Sequence, residues 1–267
     1  MLVAVILCAL LAAFWPGIST PSGSTSPPAV PSSGGAGRTS PEPGSSSTGG
    51  TDSQTHSSSY EYRVSTEHYV VRQQNGQLEV QDRLRESWRA ADGWVWARQT
   101  GPDPGRFIFS PTGEWKAIRA APPTTAAQHG VLREAAGAAK TANEVTQAEF
   151  AFVQNLLSTE SVPDSALPKN YRAALVSALA TNDRVTSTEH VDDPAGRDSI
   201  RVSWTTGSLT LSLHLDRAYN FLAYTQVAKN TGERGSRVIT SQRRTRDIPQ
   251  DLLTQLGSQR VEKAFWY

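Results

Sequence analysis

The chain has a single cysteine, Cys8, and it lies inside an apolar run. The rest of the chain therefore builds neither a disulfide nor a cysteine metal site. Long runs of one charge are also missing. The densest basic stretch, Arg243, Arg244 and Arg246, stops at Asp247, and 26 Lys and Arg stand against 25 Asp and Glu. A nucleic-acid partner requires a larger basic patch, so this stretch reads as a solvated strand end and no nucleic acid is expected. The five histidines, His56, His68, His129, His190 and His214, show no HxH or HExxH spacing, so no metal is expected. Neither GxSxG, a P-loop nor GxGxxG occurs. The chain is read as noncatalytic and without a cofactor.

What is present divides into three blocks. Residues 1–15 (MLVAVILCALLAAFW) carry no charge. This length suits the apolar core of a signal peptide, roughly 7–15 residues. A membrane span needs about 20, and Pro16 and Gly17 end the run at residues 1–18. No Lys or Arg precedes the run, which also fits a transmembrane helix whose inner flank precedes Met1 in a longer gene product. Membrane anchor and cleaved signal stay open for 1–18. Both direct the chain to the membrane. The expected location is the extracytoplasmic face of the cell membrane or, after cleavage, the exterior. Leu7 stands where a lipoprotein signal has a small residue, so Cys8 reads as an ordinary apolar residue. Residues 16–59 hold no aromatic and only four aliphatics, Ile18, Ala29, Val30 and Ala36. Such a segment cannot offset its chain entropy by burial, so 19–59 reads as a disordered tether.

Residues 60–267 have globular composition and form the third block. Tyr60–Arg72 alternates: Tyr60, Tyr62, Val64 and Val70 fall on one face, and Glu61, Arg63, Ser65 and Glu67 on the other. That is the period of a half-buried strand. Asn75-Gly76 and Asp92-Gly93 mark hairpins, with strands at 78–90 and 94–96 and shorter ones near 106–109 and 115–119. The Ala-rich stretch 126–142 reads as helix or lid. Thr146 followed by Glu149 caps a helix over 146–158, and Pro168 opens another, with Tyr171, Leu175, Val176 and Leu179 on one face. Strands return at 185–191, 199–205, 208–215, 220–228 and 237–246, followed by a short helix at 249–256. Strands, helices and strands again at hairpin spacing predict an α+β fold: a curved antiparallel sheet with helices packed on its concave face.

Three stretches resemble a large, mostly uncharacterised actinobacterial family of exported or single-span proteins. They are Arg85-Glu86-Ser87-Trp88 leading into Ala91-Asp92-Gly93, the helix Tyr171–Ala180 followed by Val185, and the turn Asp193–Arg197 feeding Ile200–Trp204. That family is similar in shape to the lipoprotein-localisation-factor fold. The resemblance implies a half-barrel sheet around a helical lid, which can shelter an acyl chain. The turn after 208–215 departs from the family pattern, with Asp216-Arg-Ala-Tyr219 in place of a Gly-ended turn.

Two constellations bear on function. Trp88, Trp94 and Trp96 flank one turn, and Trp204 can join them on a concave face, where an aromatic cluster either lines a lipid or glycan groove or fills the core. Glu86, on the face of Trp88, reads either as a carboxylate in an apolar pocket or as a hydrogen-bonded support for Arg85 or Arg89. The expectation is a noncatalytic, membrane-tethered extracytoplasmic domain that binds a lipid or other hydrophobic ligand or acts as an envelope sensor. The alternative is a structural or protein-interaction module of the envelope with no ligand.

Overall fold

The computed structural model describes residues 59–253, apart from 103, 112, 160 and 163–165. The expected anchor or signal at 1–18, nearly all of the linker 19–59, and the tail after 253 lie outside the described residues. Among the described residues no helix is long and apolar enough to cross a membrane.

Nine strands form one open antiparallel sheet. They are β1 (Tyr60–Arg72), β2 (Leu78–Arg89), β3 (Val95–Thr100), β4 (Gly105–Phe109), β5 (Val185–Asp192), β6 (Asp198–Thr206), β7 (Leu209–Leu215), β8 (Phe221–Ala228) and β9 (Arg234–Thr245). The spatial order is β4-β3-β2-β1-β9-β8-β7-β6-β5. Two meanders thus meet at the β1–β9 seam, and β4 and β5 lie at opposite edges. The chain between them must cross the whole sheet, a span on the order of 40 Å at roughly 4.8 Å per strand. It does so as four helices: α1 (Trp115–Ala120), α2 (Thr125–Ala136), α3 (Ala142–Ser158) and α4 (Lys169–Leu179). This crossing covers one face of the sheet, giving the α+β architecture that the element order predicts.

Four hairpins share one device. Gln73, Ala90, Asp193 and Asp216 each bond the residue four positions on and accept from the residue three positions on. The last loop residue is left-handed each time: Gly76, Gly93, Gly196 and Tyr219. Such three-residue loops require a residue that tolerates positive φ, which glycine does without strain. At the fourth, Tyr219 sits at φ 60°; Asp216 accepts from the Ala218 and Asn220 amides, as Asp193 does from the Ala195 and Arg197 amides in the glycine-ended turn. A left-handed non-glycine residue costs roughly 1–2 kcal/mol. Tyr219→Gly is therefore expected to gain about 0.5–1 kcal/mol after the flexibility glycine adds to the unfolded chain. A melting temperature equal to or below that of the parent would refute this.

Two sequence expectations change. The segment 115–119 is helix α1, not a strand. Trp115 and Ile118 recur at helical spacing, and Ile118 is fully buried. Helix α3 starts a turn earlier than Thr146. The chain offers two Thr-x-x-Glu sequences, and the first one caps: Thr141 Oγ1 accepts from the Glu144 amide while Glu144 accepts from the Thr141 amide. Thr146 instead donates back to the Ala142 carbonyl, as a mid-helix threonine does.

The helix-covered face has two chemistries. Over β6 and β7 it is apolar. Val202, Trp204, Leu213 and Leu215 are fully buried, and the Trp204 ring lies 6.3 Å from Phe150 of α3. Over β1, β2 and β9 it is charged. Glu61 accepts from Arg63, Arg89 and Gln242, and Arg89 donates to the Val162 carbonyl of the crossing segment at 3.0 Å. Burial pushes the Glu61 carboxyl up, but Arg63 and Arg89 outweigh it and hold it below the ordinary carboxylate range. The half-buried reading of β1 is therefore inverted. Over its first half the buried side is the polar one: Glu61, Ser65 and Glu67 are buried, while Tyr60, Tyr62 and Val64 are only partly so; of the apolar face only Val70, near the far end, is buried.

Candidate functional site

The opposite face of the sheet carries the aromatics at the β1–β4 end. Tyr62 stands opposite Trp88, and Trp88 opposite Trp96, in the strand register. Beyond β9 the chain folds back over them. Ile248 and Leu252, the latter in α5 (Gln250–Leu253), bury against Trp88 with Tyr60, Tyr62 and Trp96 packed around. Arg106 of β4 pins this return through Asp251 at 3.0 Å.

Between sheet and returning segment lies a cleft of about 330 Å³, lined by Tyr62 and Trp88 on one side and by Ile248 and Pro249 on the other. Its mouth carries Arg98 from β3, Glu86 from β2 and Arg243 from β9, with Thr245 and Asp247 beside them. Glu86 accepts from the Tyr62 hydroxyl at 2.6 Å and from Arg98 Nε at 2.5 Å. The Arg98 bond, foremost, holds its carboxyl below the ordinary range against the opposing effect of burial. The Tyr62 hydroxyl is pushed up, by burial first and then by its bond to Glu86. Arg98 lies 5.5 Å over the Trp88 ring and Arg243 5.0 Å over the Tyr62 ring. Cations over aromatic faces are held by the ring quadrupole.

The Glu86 expectation is thus corrected. Its pKa falls rather than rises, and its support comes from Arg98 and Tyr62, not Arg85 or Arg89. The partner was hidden because Arg98 reaches Glu86 across the β2–β3 register, where the two stand directly opposed.

The four tryptophans do not form one cluster. Directly opposed residues lead across the sheet from Trp204 through Leu211, Gln226, Gly235 and Tyr69 to Gln81. Trp204 therefore lies on the helix-covered face, and Trp88, an odd number of residues from Gln81 along β2, lies on the other. Trp88 and Trp96 meet; Trp94 stands at the turn and is 37 % exposed. Alternation places neighbours along one strand, but which face a strand five positions away presents depends on pairings that the sequence does not spell out.

The histidines are dispersed. His68 pairs with Asp82 at 2.6 Å and His190 with Asp198 at 3.3 Å, both at the surface, while His129 lies in α2. Among the described residues no group of three or more His, Cys, Asp or Glu could hold a metal ion. His214 is buried 3.2 Å from Ser199 Oγ. The Ser199 hydroxyl donates to the Val191 carbonyl at 2.6 Å, so the imidazole must be the donor to Ser199 and has no lone pair facing that hydroxyl. In this arrangement the hydroxyl proton is directed to Val191 and not to the imidazole.

Burial holds the His214 pKa below its ordinary 6.5, with Arg201 and Arg197 adding to the fall and Asp193 opposing it. The sign follows. The unfolded chain takes up a proton near 6.5 that the folded chain refuses, so stability is full above that pH and falls as the pH drops toward the folded pKa. The limiting slope is about 1.4 kcal/mol per pH unit. Urea midpoints are expected to fall between pH 7.5 and 5.5 and to flatten in His214→Gln. An equally steep fall in that variant would assign the effect elsewhere.

No family model matches the chain, and no curated protein matches it. The actinobacterial resemblance thus gains no support from either. Among solved structures, an outer membrane lipoprotein-sorting protein domain from Vibrio parahaemolyticus aligns at 6% identity, covering 72% of this chain and 88% of that one, with a TM-score of 0.24. A score that low leaves the fold to rest on this chain's own strands.

Proposed function

We propose that this protein is a noncatalytic, membrane-tethered binding module of the extracytoplasmic face, and that it takes a hydrophobic ligand in the cleft between β1–β3 and the returning segment. The cleft itself carries the reading: about 330 Å³ of open space with Tyr62, Trp88, Ile248 and Pro249 around it. That lies at the lower end of small-ligand sites, which run from roughly 300 to 1,000 Å³ and are apolar with a few placed polar groups. The noncatalytic part is supported by the chemistry of the groups present. Both Glu86 oxygens already accept hydrogen bonds, and His214 offers Ser199 no base. The tether is supported by the uncharged run at 1–15 and the Ser/Gly/Pro-rich segment after it. The ligand site differs from the groove first expected, because the helix-covered face over β6 and β7 is filled by its own side chains.

That filled face favours a second reading, an envelope interaction module with no ligand. One titration separates the two. The neutral probe N-phenyl-1-naphthylamine is expected to bind the full chain saturably. Thr245→Trp, which fills the cleft from the half-buried end of β9, is expected to weaken it about tenfold, or roughly 1.4 kcal/mol. Absence of saturable binding would leave the ligand-free module, and identical binding by the variant would overturn the cleft as the site.

A further inference from the structure

We infer that the ligand of this cleft is an anionic amphiphile, an apolar chain or ring bearing a carboxylate or phosphate, and that Arg243 holds its charge. The inference rests on the cleft being the ligand site.

The argument is an inventory of the polar groups at the mouth. Arg98 is committed to Glu86, and Glu86 is in turn occupied by Arg98 and Tyr62. Arg243 is different. Its guanidinium carbon lies 5.0 Å from the centroid of the Tyr62 ring. It is exposed, and it has no acidic partner among the described residues. The ring holds the cation at the cleft without using its N–H donors, and a guanidinium can give a carboxylate or phosphate two parallel bonds. Next to it lies the apolar wall of Ile248 and Pro249. A cation without an acidic partner among the described residues, beside apolar lining, is the complement of a molecule with one anionic end.

Asp247 also lines the cleft and works against an anion, which gives the inference a second, opposite-signed readout. The basic run at Arg243–Arg246 looks in the sequence like solvated charge. The fold separates its members, because Arg243 shares a face with Tyr62 while Arg244 stands opposite Glu61.

The test is calorimetric titration of the full chain with decanoate, decyl phosphate, decanol and decylamine, all below their aggregation concentrations. Both anions are expected to bind about tenfold more tightly than decanol. Arg243→Gln should bring them to the decanol level, and Asp247→Asn should tighten both severalfold while weakening decylamine. Arg246→Gln, outside the cleft lining, should change nothing. Decyl phosphate binding ahead of decanoate would point to a lipid headgroup as the source, and the reverse order to a free fatty acid. If decanol binds as well as the anions and Arg243→Gln is silent, the anion assignment is overturned while the cleft remains a ligand site. If none of the four binds, both fall together.

Discussion

Trp204→Ala is expected to remove about 3–5 kcal/mol of stability, the range for truncating a large buried aromatic. The loss has two parts. The indole is fully buried, so its apolar surface returns to water on unfolding. The hole it leaves is bounded by Leu211 and Val185 on the flanking strands and by Phe150 above, parts of a sheet and a capped helix that cannot collapse into it. Trp204→Phe is the control. The indole Nε1 has no hydrogen-bond partner, so a phenyl ring surrenders volume only, and the loss should stay near 1 kcal/mol. Urea unfolding of both variants measures this. If Trp204→Ala instead left stability unchanged and altered ligand binding, Trp204 would belong to a groove after all.

Glu61→Gln is expected to lose about 3–5 kcal/mol despite its near-identical shape, because a buried charge pair is broken from one side. Arg63 and Arg89 both donate to this carboxylate. Without its charge, the guanidiniums of Arg63 and Arg89 lose the carboxylate they share beneath the crossing segment. The double-mutant cycle with Arg89→Met decides whether pairing or mere hydrogen bonding is at stake. A coupling of about 1–3 kcal/mol is expected between contacting partners. Additive losses would mean that Glu61 and Arg89 act independently. The same carboxylate predicts an acid limb. Its folded pKa lies below 4.5, so its contribution is full above that pH and is lost as the pH falls through the folded value.

Much of the strand order could be read from alternation and glycine turns, because these are local. Asp92-Gly93 and Pro194-Ala195-Gly196 place hairpins wherever they occur. The facing of the strands could not be read that way. Alternation in β1 separates tyrosines from glutamates but does not say which side faces in. Ile248 and Leu252 cover the tyrosine side only around Trp88, Val80 and Leu84 on that side of β2 stay exposed, and the charged side, toward the crossing segment, proves the more buried. The cleft was equally hidden. Arg98 and Arg243 lie on strands far apart in the chain and meet through β2 and β1. The one visible trace was the dense basic run, whose meaning depends on which of its members shares a face with Tyr62.

The seam between the two meanders has a consequence for how the molecule assembles. Tyr60 pairs with Thr245, so the first strand receives its second neighbour only from the last. Each meander closes with short loops, which is fast; the seam closes nearly the whole domain, which is slow. During synthesis from the N-terminus, β1 waits as an unpaired edge for most of the life of the nascent chain. Such an edge invites pairing with other copies. Glu61, Arg63 and Glu67, inward-facing and awkward in the native core, make that edge a poor template for any strand that does not bring Gln242 and Arg237 into register. The charges that are paired in the finished interior thus guard the unfinished one.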